Sequence, residues 1–173
     1  MKRILATSLL LATLSAGTAT AQISLVNPVP QKVTASGKGI VAAPAAWRVI
    51  CDKNRTGSIA TQALVKATTV KQQPKAAYSV TIGVKGDKAV SKVAKLIPAK
   101  AEGYYLSITD KGAVVAGADE EGLYYGVQTL LASVAEGKLE CCTITDWPDV
   151  PFRGLWYAME PQGTLESDRV LWP

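Results

Sequence analysis

Apolar residues recur along this chain at two periods, and the switches between them predict its elements. A proline-containing entry, "SLVNPVPQKV", leads to short β-like runs at 39–43 and 47–51, and "DKNRTG" supplies a turn. Over 58–68, Ile59, Ala63, Leu64 and Ala67 recur at helical spacing, with Ser58 placed to cap. "AAYSVTIGV" then alternates at period two, with Tyr78, Val80 and Ile82 on one face of a strand. A second helix is expected from its cap Asp87 through Val90, Val93, Ala94 and Ile97, until Pro98 stops it. "GYYLSIT" and "AVVAGA" flank the turn "DKG" and read as a hairpin. The best-specified helix follows: Asp119 caps it, Glu120 and Glu121 occupy its first turn where the dipole favours negative charge, and Leu123, Val127, Leu130, Leu131 and Val134 form its stripe. Gly137 is expected to end it before a further strand. The order predicts an α+β fold, a mainly antiparallel or mixed β-sheet with helices packed on one face.

The first residues stand outside this pattern. Lys2 and Arg3 precede an apolar run at 4–14, and small residues close at Ala19, Thr20 and Ala21, the layout of a secretory signal peptide cut before Gln22. No stretch reaches the roughly 18 apolar residues that a membrane span needs. No Cys stands at the cleavage point, which removes the simplest lipoprotein reading. About 150 residues remain, the size of one domain. The formal charge of +5 comes from 19 Lys and Arg against 14 Asp and Glu. The lysines are scattered with little aromatic interleaving, so no nucleic-acid stripe is expected.

Histidine is absent, which removes His-based triads, the usual zinc sites and a histidine base together. Cys141 and Cys142 are adjacent and bridge each other only with strain, leaving two readings: Cys51 joined to one of them, or three small buried thiols. Glu120 and Glu121 point about 100° apart on a helix and cannot converge on one bond, so they serve the helix start. "SGKG" at 36–39 lacks the rest of a phosphate-loop pattern and reads as a turn. Asn54-Arg55-Thr56 fits the N-glycosylation pattern, which matters only if a eukaryotic secretory pathway makes the chain. Tyr104, Tyr105, Tyr124, Tyr125, Trp147 and Trp156 are candidates for a sugar-stacking platform, but adjacent tyrosines in a strand face opposite ways and packing is the plainer role. No residue is assigned as catalytic, substrate-binding or metal-binding, and no cofactor is implied.

Three runs, "EGYYLSI", "AGADEEGLYYGVQTL" and "ITDWPDVPFRG", together resemble the N-terminal domain of exported β-N-acetylglucosaminidases. The likeness is greatest to glycoside hydrolase family 84, the O-GlcNAcase and bacterial hyaluronidase-like group, with the related domain of family 20 β-hexosaminidases next. It implies a signal peptide at 1–21, an α+β accessory domain at 22–145, and at 146–173 a linker and the truncated start of a catalytic barrel. In family 84 that barrel carries an adjacent pair of aspartates, which help the substrate's own acetamido group to act without a protein nucleophile. A barrel takes about 250 residues, about twenty follow Gly154, and the chain has no Asp-Asp pair. The resemblance therefore implies a non-catalytic domain, secreted or periplasmic, whose partner is the parent enzyme's barrel, and a frameshift is one expected cause of the truncation. No membrane or nucleic-acid partner is implied. The alternative is a free-standing module that meets N-acetylglucosamine-containing glycans through Tyr and Trp faces. Leu155, Trp156, Leu171 and Trp172 are expected in an apolar patch left bare by the missing barrel.

Overall fold

One mixed sheet of eight strands organises residues 28–150, which with Gly154 are the residues that the computed structural model describes. In chain order the elements are β1 (Lys32–Ala42), β2 (Ala46–Ile50), α1 (Ile59–Lys66), β3 (Lys71–Gln72), β4 (Tyr78–Val84), β5 (Tyr104–Ile108), β6 (Gly112–Gly117), α2 (Glu120–Ala132), β7 (Val134–Ala135) and β8 (Lys138–Asp146). Two 3-10 helices, Lys53–Arg55 and Lys88–Val93, fill connections. The strands lie in the order β1-β8-β5-β6-β4-β2-β3, with β7 paired to β8. From β1 to β6 neighbours are antiparallel, and from β6 to β3 they are parallel.

The period-two strands split their side chains between two cores, as the pleat requires. Trp47, Val80, Ile82, Leu106, Ile108, Val115 and Ile144 bury one face beneath Leu64 of α1 and Leu123, Val127 and Leu130 of α2. Tyr105 and Ala116 face the other way and meet Val90 and Ile97. The fold is thus α+β with both α-helices on one face, and the second cluster sits under the longer 3-10 helix. Ser58 caps α1 through a bond from Thr61 N, and Asp119 caps α2 through one from Gly122 N, as their positions predicted.

Four local expectations are corrected. The helix expected from Asp87 is a 3-10 helix, and the three-residue step from Val90 to Val93 fits its tighter turn. Asp87 holds the N-cap position, but its side chain turns back to Val84 N while Asp52 receives Lys88 N and Ala89 N. α2 stops at Ala132, where Ser133 Oγ donates to Thr129 O; Glu136 and Gly137, with φ of 50° and 72°, instead make the tight turn between β7 and β8. The "SGKG" stretch is a bulge inside β1, because the pairing advances from Ala35 to Ile40 while β8 advances only from Cys142 to Glu140. The α1 stripe is turned by one residue: Ala60 and Leu64 are buried, whereas Ile59 is 73% exposed.

Candidate functional site

The chain enters and leaves the sheet at one place, and a groove of about 770 Å³ lies there. Pro28, Val29 and Gln31 of the entry and the exit from Asp146 to Val150 form one wall; Tyr125, Gln128, Thr129 and Ala132 of α2 form the other, and Tyr104 contributes from β5. The two chain segments are tied together: Gln31 N donates to Asp146 Oδ1 at 2.9 Å, and Gln31 Nε2 donates to Asp149 Oδ1. The Lys32 ammonium stands 5.6 Å from the Trp147 ring centroid, a cation–π contact. Beneath, the Tyr104 hydroxyl lies 2.7 Å from Thr129 Oγ1. Burial pushes the Tyr104 phenol above its ordinary value, the Thr129 bond pulling against the rise and the Asp146 carboxylate adding to it. Tyr104 therefore stays a neutral hydroxyl.

Of the six aromatic candidates, the groove collects Tyr104, Tyr125 and Trp147. Tyr105 faces the opposite cluster, as strand alternation required, and Tyr124 packs on the main core with its ring edge-on to Tyr125 at 6.0 Å. Trp156 lies outside the described residues, as do Leu155, Leu171 and Trp172 and the signal-peptide segment. The sequence reading missed Gln31, Gln128 and Asp149. Gln128 was findable, three residues beyond Tyr125 on a helix, but Gln31 and Asp149 are distant in sequence and only the fold joins them.

A second polar cluster gathers where the parallel strands β2, β4 and β6 end. Arg55, after β2, donates to Asp87 Oδ2 from Nε at 2.8 Å and to Oδ1 from Nη2 at 3.4 Å, and it also pairs with Glu120. Burial alone would raise the Asp87 pKa; the hydrogen bond from Arg55, the bond from Val84 N and the Arg55 charge outweigh it and hold the carboxyl below its ordinary range. Glu120 and Glu121 thus form no catalytic pair: Glu120 joins Arg55, and Glu121 is exposed in the first helical turn. Asp87 and Glu120 are both engaged by Arg55, which suits a structural clasp rather than a proton shuttle.

Cys51, Cys141 and Cys142 are thiols. Four strand spacings of about 4.8 Å separate β2 from β8, or roughly 19 Å, well beyond disulfide reach. Of the two cysteine readings, the structure supports three thiols and corrects the bridge, with Cys141 and Cys142 buried in β8 and Cys51 only partly buried after β2. Burial pushes the Cys142 thiol up to about 12, with Glu140 and Cys141 adding to the effect. Among the described residues no group of His, Cys, Asp and Glu is placed to hold a metal ion, and no helix is long and apolar enough to cross a membrane.

The family model described as glycosyl hydrolase family 20, domain 2, matches residues 24–147. Among solved structures, a β-N-acetylhexosaminidase from Bacteroides fragilis is similar at 22% identity over 73% of this chain and 25% of its own, with a TM-score of 0.50. A Streptomyces plicatus β-hexosaminidase, solved as a D313A mutant with the product GlcNAc, is similar at 19% identity over 76% of this chain and 28% of its own, with a TM-score of 0.50. The protein designated CpGH84D is similar at 18% identity over 75% of this chain and 24% of its own, with a TM-score of 0.57. The chain thus spans about a quarter of the length of these relatives, and at such identities the likeness is one of fold.

Proposed function

The chain belongs to glycosyl hydrolase family 20, domain 2, a non-catalytic accessory domain of hexosaminidases, and from that premise we propose that it serves an exported β-N-acetylglucosaminidase. In this reading residues 1–21 are a signal peptide, 22–145 the accessory domain, and 146–173 the passage toward a catalytic barrel. The barrel removes terminal N-acetylglucosamine by the substrate-assisted route, and the accessory domain packs on it and supports its folding. The family match over residues 24–147 carries the reading. The engaged carboxylates of the Arg55 cluster agree with a domain that does no chemistry of its own. Kinship with family 84 is the finer part of the proposal; it rests on the run "AGADEEGLYYGVQTL" and its flanking motifs.

Sequencing the DNA downstream of the Gly154 codon and translating every frame tests this. The expected result is a barrel, and an adjacent Asp-Asp pair within it supports family 84. DNA coding for no glycosidase barrel in any frame overturns the accessory role. A companion assay with an aryl N-acetylglucosaminide is expected to show no release by the purified chain above buffer.

A further inference from the structure

The groove beside α2 combines ring faces with a hydrogen-bonding rim. Tyr125 is 37% exposed on α2, and Trp147 lines the same groove with the Lys32 ammonium over one face of its ring. The rim adds the amides of Gln31 and Gln128 and the carboxylate of Asp149. Gln31 and Asp149 already bond to each other, which leaves the second amide N–H, the amide oxygen and the second carboxylate oxygen open, so an occupant must offer an apolar face to the rings and small polar groups to the rim. A pyranose ring meets both demands. Its apolar C–H face lies on an aromatic ring, while its hydroxyls donate to a carboxylate and accept from an amide. The groove's volume, about 770 Å³, falls within the roughly 300–1,000 Å³ of small-molecule sites.

We propose that this groove binds a neutral pyranose glycan, seated between Tyr125 and Trp147 with its hydroxyls on Gln31, Gln128 and Asp149. The groove opens beside the exit at 146–150, so a bound sugar lies at the junction with the catalytic domain. That last clause rests on the accessory-domain reading; the binding itself does not.

Calorimetric titration of the full chain with N-acetylglucosamine, chitobiose, cellobiose and maltose tests the proposal. The expected result is saturable heat with at least one of them, at a Kd on the order of millimolar or tighter. Tyr125→Ala and Trp147→Ala are expected to weaken it about tenfold, and Tyr125→Phe, which keeps the ring face, to restore it. Gln128→Ala alters an exposed side chain and leaves the core intact, so its expected weakening of about threefold does not depend on whether Trp147→Ala folds. No saturable heat with any of the four sugars up to about 20 mM overturns the proposal and leaves the groove a packing face. Unchanged titrations for Tyr125→Ala and Gln128→Ala overturn it equally, by placing the sugar elsewhere. Neither outcome touches the accessory-domain reading, which the downstream DNA decides.

Discussion

Asp87 is only 9% exposed and yet ionised, because Arg55 and the Val84 amide offset the cost of its burial. Its pKa lies below the value of an unfolded carboxyl, so the stability it lends is present above about pH 4 and is lost as the pH falls through the folded value. Asp87→Asn is expected to lower stability by about 2 kcal/mol at neutral pH, since it removes the buried charge facing Arg55 and leaves that guanidinium only the half-exposed Glu120 as an ion-pair partner. The gap from the parent narrows below about pH 4. Urea unfolding at several pH values reads both effects, and a pH-independent gap counts against an ionised Asp87. The thiols give a second prediction at this scale. With Cys142 buried and its pKa pushed up to about 12, native protein is expected to leave it unalkylated at pH 8. After unfolding without reductant, all three cysteines should take up reagent. A protected pair that includes Cys51 would contradict the strand order.

At the scale of the element, α2 sits close to the sheet because three glycines let it. A methyl at Gly122 meets the carbonyl oxygen of Gly103, and one at Gly117 meets the amide of Leu123. At Gly126 the obstacles are side chains, with Val115 Cγ1 at 2.6 Å and the Tyr104 ring at 3.0 Å. Alanine in an unobstructed helix interior gains about 1 kcal/mol over glycine. Gly122→Ala is expected to reverse that sign and to cost about 2 kcal/mol or more, because backbone cannot yield as a side chain can. Gly126→Ala should cost less than Gly122→Ala, and thermal melts of the two variants rank them. An unchanged or raised Tm for Gly122→Ala would show that α2 rides farther from the sheet. Asp119 adds to the same seat, receiving Gly122 N at 2.8 Å and Glu102 N at 2.7 Å, so it joins the helix start to the loop before β5.

For the molecule as a whole, what could be read in advance followed from periodicity. Tyr78, Val80 and Ile82 alternate with polar or small neighbours and occupy one core, and the stripe of α2 is legible because its helix is long enough to repeat. β1 was read too short, since the Ser-Gly-Lys-Gly bulge breaks any period of two, and the 3-10 helix was read as α because Val90, Val93, Ala94 and Ile97 satisfy both spacings. The groove was half legible: aromatic candidates stand out by type, but the meeting of Gln31 with Asp149 depends on β1 and β8 lying side by side. The resulting architecture predicts a gradient of local stability. β5 and β6 have strands on both sides and clusters on both faces, whereas β3 has two residues and β1 is a bulged edge with Ile40 66% exposed. Hydrogen exchange is expected to leave the amides of Leu106 and Val115 protected up to the global unfolding free energy, while those of Ile40 and Lys71 exchange through smaller openings. Denaturant at low concentration separates the two classes, because only exchange by global opening accelerates steeply with it. If β1 proved as protected as β5, the edge would be covered in solution, and self-association through β1 would be the first cause to examine.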